Sequence, residues 1–193
     1  MSEKSLDADY FDRIFASDDD PWDLASSDYE RAKFDRTIAA LGDRQYRSAI
    51  EVGCAHGVLT QRLFSLCETL IALDISAEAL DQARERLGSP RGLTFQRMAF
   101  PREAPGANGF ELALLSEVAY YWSVADLGRA AQWLSAHVEP GGHILLVHYI
   151  GETDYPQSGD AAVLHLKNAL RDVVAEEKSE RHVRYRLDLW RRR

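Results

Sequence analysis

A loop of small residues, from Gly53 to Gly57, is the segment of the chain best suited to hold a ligand. It follows an apolar β-type run and precedes a helical one, and its two glycines let the backbone turn sharply and approach a ligand closely. The exposed N–H groups where the helix starts can bind a carboxylate. Asp74 ends the next predicted strand, at the sheet edge where a carboxylate meets ribose hydroxyls. Together these residues predict a site for a cofactor that carries a ribose.

The spacing within the loop distinguishes between cofactor classes. The dinucleotide pattern G-x-G-x-x-G would require glycine where the chain has Val58, so a nicotinamide-dependent oxidoreductase is disfavoured. The small residues are instead Gly53, Ala55 and Gly57, with Glu51 two positions before the first. This E-x-G-x-[GA]-x-G order resembles motif I of the class I S-adenosylmethionine-dependent methyltransferases.

Further segments extend and narrow the resemblance. Residues 110–118 (FELALLSEV) resemble the fourth-strand motif of these methyltransferases, and residues 139–145 (EPGGHIL) resemble the entry to their fifth strand. Residues 20–22 (DPW), 29–31 (YER) and 117–121 (EVAYY) resemble the NodS-type family of nodulation-factor N-methyltransferases. That family transfers the methyl group of S-adenosylmethionine to an amino group on a deacetylated aminosugar. The resemblance therefore implies this reaction, with S-adenosylhomocysteine as the product.

The resemblance also implies which residues contact the cofactor. Many related enzymes carry an acidic residue after the third strand that holds the adenine amino group, whereas residues 97–100 read RMAF here. We therefore expect adenine to be held by backbone groups and apolar packing. No spacing typical of metal ligands occurs among the histidines, so no metal is expected. The expected cofactor residues are Glu51, Gly53, Cys54, Ala55, Gly57, Asp74, Ile75, Met98, Ala99, Phe100 and Ser116.

Candidates for the catalytic chemistry follow the fourth and fifth predicted strands, because α/β sheets open their ligand crevice at the carboxyl ends of strands. Glu117 can bind an acceptor ammonium, and His148 can take its proton near neutral pH. Tyr120 or Tyr121 can orient the acceptor. Structural alternatives stay open: Glu117 as a cap on the following turn, His148 as a structural strand-end residue, and Tyr121 as part of the core. O-methylation of a sugar or small natural product, and a non-catalytic cofactor-binding module, also stay open.

The order of elements predicts the fold that positions these residues. Two helices come first, the second over residues 28–41, and strands and helices then alternate as in a doubly wound parallel sheet. We expect one α/β domain over residues 1–193, with an N-terminal helical cap (1–45) and a Rossmann-like, mostly parallel core (46–193) that ends in an antiparallel strand pair. Predicted strands cover 49–52, 70–73, 93–98, 110–115, 143–149 and 175–180, and a last strand alternates Val183, Tyr185, Leu187 and Leu189 inward with Arg184, Arg186 and Asp188 outward. Predicted helices cover 58–66, 77–87 after an N-cap at Ser76, 124–138 and 160–174.

Composition and charge limit the partners. The 193 residues carry a net charge of −8, which argues against a nucleic-acid substrate because phosphate binding needs a basic surface. The polar, acidic first ten residues do not form a signal peptide, and no apolar run approaches the length of a membrane span. We expect a cytoplasmic protein, a monomer or homodimer, that acts on a small molecule and binds neither nucleic acid nor membrane.

Overall fold

The computed structural model describes residues 4–193, so the first three residues of the predicted helical cap lie outside the described residues. The described chain contains a seven-stranded sheet whose strands are β1 (Tyr46–Val52), β2 (Cys67–Asp74), β3 (Leu93–Arg97), β4 (Phe110–Ser116), β5 (Val138–Tyr149), β6 (Val174–Arg181) and β7 (Tyr185–Arg192). Their order in the sheet is β3-β2-β1-β4-β5-β7-β6. Strands β1 to β5 run parallel, and β7 pairs antiparallel with both β5 and β6. The predicted class, a Rossmann-like sheet with an antiparallel pair at its C-terminal end, is confirmed.

Six α-helices connect or precede these strands in residues 4–193, and two short 3₁₀ turns lie at Pro21–Asp23 and Ala119–Tyr121. Side-chain hydrogen bonds cap several helices: Ser27, Ser76, Ser123 and Ser158 each accept a backbone N–H from the first turn that follows. Such caps stabilise a helix by about 1 kcal/mol each. The helices are α1 (Ala8–Ser17), α2 (Asp28–Leu41), α3 (Val58–Phe64), α4 (Ala77–Leu87), α5 (Val124–His137) and α6 (Gly159–Leu170).

The hydrophobic core lies on both faces of the sheet. On one face, Ile50 of β1 belongs to a buried cluster with Leu127 of α5 and Leu166 of α6. On the other face, Leu114 of β4 belongs to a second cluster with Phe34 of α2, and with side chains from α3 and α4. Because parallel strands covered on both faces are apolar throughout, these strands read as nearly continuous hydrophobic runs.

The last strand differs from its prediction. Asp188, expected on a solvent face, is fully buried and accepts hydrogen bonds from Arg186 and Ser179. The reason is that β7 lies between β5 and β6 rather than at an edge, so both of its faces are packed: Trp190 joins one core cluster and Leu187 the other. Val183, expected to point inward, precedes β7 and is 97% exposed.

Some element ends also differ. Strand β5 begins at Val138 and not at residue 143, and the segment Pro140–Gly142 is accommodated by an irregular register against β4 and by a positive φ of 80° at Gly141. Helix α6 ends at Leu170, four residues before the predicted end, because β6 begins at Val174. In residues 4–193 no helix combines the length and the apolar character needed to cross a bilayer.

Candidate active site

A cavity of about 470 Å³ lies at the carboxyl ends of the parallel strands. Its wall combines residues that follow β1, β2, β3, β4 and β5 with residues from the N-terminal segment and α2. This volume lies within the range of small-molecule sites, ~300–1,000 Å³. Of the fifteen residues that the sequence nominates, the structure brings thirteen to this wall, all but Gly57 and His148.

The loop after β1 approaches the cavity in a conformation that requires glycine. Gly53 has a φ of 77°, and a Cβ atom at this position would overlap Cγ1 of Val118 in the loop after β4. The N–H groups of Gly53 and Cys54 both donate to the carbonyl oxygen of Leu73, at 2.8 and 2.9 Å. The loop is therefore fixed between β2 and the loop after β4, with its backbone against the cavity.

Asp74 connects this loop to the next helix. One carboxylate oxygen accepts the N–H of Ala55 and the other accepts the N–H of Ser76, both at 2.9 Å. Burial raises the pKa of Asp74, against the lowering effect of these backbone donors. The carboxylate lies in the cavity wall at the end of β2, as the sequence predicts.

Gly57, which the sequence suggests as a cofactor contact, is not among the residues that line the cavity. It is the N-cap of α3 and has a φ of 83°. A Cβ atom there would lie 3.1 Å from Cδ1 of Leu87 and 3.2 Å from Cβ of Ala83. Gly57 therefore allows α3 to start close against α4, which is a packing role.

Glu51 is a buried carboxylate in the cavity wall, and its residue is 1% exposed. Oε2 has no hydrogen-bond partner among residues 4–193. Burial raises the pKa of Glu51 to about 7, with a lowering contribution from the Thr60 hydroxyl and a raising one from Asp74. An unpartnered buried oxygen of this kind is expensive unless a ligand donates to it.

The wall after β3 is apolar. Met98, Ala99 and Phe100 line the cavity, and the Phe100 ring packs against Trp122 with 5.5 Å between ring centroids. The N–H groups of Met98 and Ala99 are already used, since they donate to the carbonyl of Asp74 and to the carboxylate of Glu103, both at 3.0 Å. This part of the cavity therefore offers a ligand apolar surface and few free backbone donors.

Both carboxylate oxygens of Glu117, in the cavity wall, accept hydrogen bonds. Its Oε1 accepts a hydrogen bond from Nζ of Lys33 at 2.6 Å, and its Oε2 accepts from the hydroxyl of Tyr120 at 2.8 Å and from the N–H of Tyr149 at 2.7 Å. Burial raises the pKa of Glu117, but the Lys33 ammonium and the N–H of Tyr149 outweigh burial and lower it. The carboxylate is therefore held ionised. The backbone of Glu117 has a positive φ of 57°.

Lys33 and Glu30 belong to the same cluster and were not nominated from the sequence. The Lys33 ammonium lies 2.8 Å from Oε2 of Glu30, and the Lys33 side chain is 3% exposed. A signal for them was present: positions 30, 33, 37 and 41 share one face of a helix, and that face is buried. Only the bounds of this helix were predicted from the sequence, and a buried ion pair on it was not considered.

His148, which the sequence suggests as the group that takes a proton from the acceptor, is not among the residues that line the cavity. Its side chain is fully buried, and its Nε2 accepts the N–H of Ala119 at 3.1 Å. Burial lowers the pKa of His148 to about 4. The imidazole is therefore neutral, and its Nε2 lone pair is occupied by the N–H of Ala119. Through this hydrogen bond His148 stabilises the 3₁₀ turn Ala119–Tyr121.

Tyr120 and Tyr121 line the cavity as part of an aromatic cluster. The Tyr120 ring stacks on Tyr155 with 5.3 Å between centroids and 12° between planes, and Tyr121 meets the edges of Tyr155 and Phe11. Burial and the neighbouring groups raise the pKa values of both tyrosines well above the ordinary value. Their hydroxyls therefore remain protonated and act as hydrogen-bond donors.

The N-terminal segment covers the cavity. Asp12 of α1 accepts the hydroxyl of Ser76 at 2.7 Å and the N–H of Ala77 at 3.1 Å, at the start of α4. Upstream, the N–H of Leu6 donates to the carbonyl of Tyr121 at 3.0 Å. These bonds hold α1 across the carboxyl ends of the strands, with Phe11 in the cavity wall.

The arrangement agrees with a comparison to known proteins. The sequence matches the family described as Nodulation protein S (NodS) over residues 7–145. The chain belongs to the NodS family. That match includes the glycine loop, Asp74, the buried Lys33 cluster and Glu117.

Individual NodS relatives show the extent of the similarity. Nodulation protein S of Rhizobium tropici is 30% identical over 129 residues, which are 66% of this chain and 54% of that protein. Nodulation protein S of Bradyrhizobium diazoefficiens is 33% identical over 124 residues, 63% of this chain and 59% of that protein. The matched region thus spans little more than half the length of these relatives.

A solved NodS structure shares the whole fold. The N-methyltransferase NodS of Bradyrhizobium japonicum WM9, in complex with S-adenosyl-L-homocysteine, superposes with a TM-score of 0.83 at 19% identity. The superposition covers 96% of this chain and 97% of that one. Helices α1 and α2 therefore belong to the shared architecture along with the sheet.

Proposed function

We propose that this protein is an S-adenosylmethionine-dependent methyltransferase that methylates an amine of a small molecule, with an aminosugar or oligosaccharide amine as the favoured acceptor. The observation that carries the proposal is a cavity that joins the loop of Gly53 and Asp74 to the carboxylate of Glu117. Membership of the NodS family, and the N-methyltransferase activity of the B. japonicum relative, support an amine acceptor.

The chemistry of the wall fits this cofactor. Glu51 supplies an unpartnered carboxylate oxygen for the ammonium of the methionine part, and Asp74 supplies a carboxylate for ribose hydroxyls. Met98, Ala99 and Phe100 supply the apolar surface for adenine. When bound, S-adenosylmethionine provides a methyl group activated by its sulfonium charge. Cys54, Ala55, Ile75 and Ser116 complete the proposed cofactor contacts, while Gly53 lets the backbone come close.

The acceptor side of the cavity contributes alignment and electrostatics. The carboxylate of Glu117 attracts an ammonium, and Tyr120 holds that carboxylate by donating to it. Tyr121 and Tyr155 offer an aromatic surface, against which sugar rings and cations pack favourably. The covering α1 excludes water, which strengthens each of these interactions.

The remaining parts of the proposal concern the setting of the protein. The cap residues Phe11 and Lys33 line the same cavity as the core, which supports residues 1–193 acting as one unit. The thiols of Cys54 and Cys67 are free, which suits the cytoplasm. The net charge of −8 supports a small acceptor over a nucleic acid. We expect a monomer or a homodimer.

A methyl-transfer screen tests the function. The purified chain is incubated with S-adenosylmethionine carrying a tritiated methyl group and with aminosugars, neutral sugars, simple amines and phenols. Mass spectrometry then locates the methyl group on the product. Label on nitrogen of an aminosugar supports the proposal, whereas label on oxygen indicates an O-methyltransferase. Cofactor binding without transfer to any acceptor would indicate a non-catalytic module.

A further inference from the structure

Three charged side chains form a network at the acceptor side of the cavity: Glu30, Lys33 and Glu117. One ammonium serves two carboxylates, since Nζ of Lys33 lies 2.6 Å from Oε1 of Glu117 and 2.8 Å from Oε2 of Glu30. All three residues line the cavity. Lys33 is 3% exposed, so bulk water contributes little to balancing the charges.

We propose that Glu30 is the catalytic base that takes a proton from the acceptor amine, and that Lys33 is the positioning residue that holds it beside Glu117. This inference rests on the proposed function and identifies the base within it. Neither residue was a candidate on sequence grounds, and the expected base, His148, lies outside the cavity wall.

The hydrogen bonds distinguish the two carboxylates. Glu117 has donors on both oxygens, from Lys33, Tyr120 and the backbone of Tyr149, so a further proton would have to displace one of them. Among residues 4–193, the Glu30 side chain accepts a hydrogen bond only from the Lys33 ammonium. Glu117 is thus suited to stay ionised and attract the ammonium, and Glu30 is the one with room for a proton.

The charge balance of the network supports the same assignment. With both carboxylates ionised and Lys33 protonated, these three side chains together carry a net charge of −1 in a largely buried place, which is unfavourable. One added proton makes the network neutral. Burial raises the pKa of Glu30 and outweighs the neighbouring Lys33 ammonium, which lowers it. The charged groups that face Glu30 are Lys33 on its own helix, Glu117 after β4 and Arg184 before β7.

The proposed step balances as follows. The acceptor enters as an ammonium, R–NH3⁺; one N–H bond breaks, its electron pair stays on nitrogen and the proton goes to a carboxylate oxygen of Glu30. The neutral amine then forms the new N–C bond, while the S–C bond of the sulfonium breaks and its electron pair goes to sulfur. Glu30 later releases its proton to water. No oxidant or reductant is needed.

The test compares Glu30→Gln with the wild type, using the disaccharide of β-linked glucosamine as the acceptor over a range of pH. Glutamine keeps the shape of the side chain and cannot take the proton. Below the pKa of the acceptor amine, kcat should fall roughly 10²-fold, as expected for loss of a general base. Above that pKa the acceptor is already neutral, so the defect should shrink. Glu78→Gln, at an exposed position of α4, is the matched control and should behave as wild type at each pH.

The outcomes separate the base from a structural role and from the proposed function. A Glu30→Gln defect of the same size at every pH, or wild-type kcat, overturns the assignment of Glu30. A wild-type enzyme that methylates no amine refutes the proposed function instead. If Glu30→Gln no longer binds S-adenosylhomocysteine, the carboxyl of Glu30 is titrated by ¹³C NMR in the wild type, with Glu30→Asp for assignment. Its pKa must coincide with the low-pH limb of kcat/KM, and a mismatch overturns the proposal.

Discussion

The ammonium of Lys33 lies 2.6 Å from the carboxylate of Glu117, although the two residues are 84 positions apart in the sequence. Lys33 comes from α2, in the helical cap, and Glu117 follows β4 in the centre of the sheet. This contact joins the cap to the core at the acceptor side of the cavity. It therefore has consequences for both stability and activity.

Removal of the cation should destabilise the fold. In Lys33→Met the carboxylates of Glu30 and Glu117 lose their shared partner, and breaking a buried pair in this way costs about 3–5 kcal/mol. The free energy of unfolding, measured in urea, should fall by that amount. The control is Lys167→Met, whose pair with Glu176 is exposed and should contribute at most about 1 kcal/mol. Equal losses of unfolding free energy in the two variants would show that the buried pair contributes no more to stability than the exposed one.

The buried His148 should make stability depend on pH. Its pKa is about 4 in the folded protein and 6.5 as the ordinary value, so between these values the unfolded chain binds the proton and the folded chain does not. The contribution of His148 to the free energy of unfolding is therefore fully present above pH 6.5 and is lost as the pH falls toward about 4. The loss is about 2 kcal/mol at about pH 5. Glu51, whose pKa is raised to about 7, contributes with the opposite sign.

A comparison with His148→Asn isolates the histidine from Glu51, since both proteins keep the glutamate. Urea unfolding at about pH 7.5 and about pH 5 should show a loss in the wild type that exceeds the loss in the variant by about 2 kcal/mol. Parallel pH dependence in the two proteins would contradict the buried, neutral state of His148.

The glycine at position 53 should be required for cofactor binding. Gly53→Ala puts a Cβ atom into Val118 and strains a φ of 77°, which forces the loop away from the cavity. We expect the affinity for S-adenosylhomocysteine to fall by at least about tenfold, or 1.4 kcal/mol. Gly42→Ala is the matched control, because Gly42 has a φ of 66° with open space around it. A normal affinity in Gly53→Ala would show that the loop does not shape the site.

Asp74 should contribute to cofactor affinity through its charge. Asp74→Ala removes a carboxylate that fixes the N–H of Ala55 and lies in the cavity wall. Loss of a charge-assisted hydrogen bond weakens binding by roughly 1.5–3 kcal/mol. Calorimetric titration with S-adenosylhomocysteine measures this directly, and Asp81→Ala, at an exposed ion pair of α4, serves as control. Unchanged affinity in a folded Asp74→Ala protein would refute the proposed ribose contact.

The sequence predicted most of the fold because its signals were local. The alternation of apolar strands and amphipathic helices, and N-caps such as Ser76, identify elements within a window of a few residues. Helix α2 was predicted with its observed bounds, Asp28–Leu41. Errors arose where distant packing decides: Asp188 is buried only because β7 lies between two strands, and sequence does not show which strand becomes its neighbour.

The same distinction applies to the site. Gly53, Glu51 and Asp74 could be placed in the cavity wall from local pattern, since each lies next to the end of a parallel strand. The orientation of His148 could not be predicted from local pattern. Alternation along a strand that is covered on both faces gives no indication of which side holds the cavity. The partnership of Lys33 with Glu117 depends on how α2 packs on the sheet, which is a long-range contact.

Calorimetric titration of the wild-type protein with S-adenosylhomocysteine, beside a parallel titration with NADH, tests the central claim most directly. The proposed contacts of Glu51, Asp74 and the apolar residues 98–100 predict saturable binding of one S-adenosylhomocysteine per chain and no binding of NADH. Absence of S-adenosylhomocysteine binding, or saturable binding of NADH, would contradict the assignment of this cavity to S-adenosylmethionine chemistry.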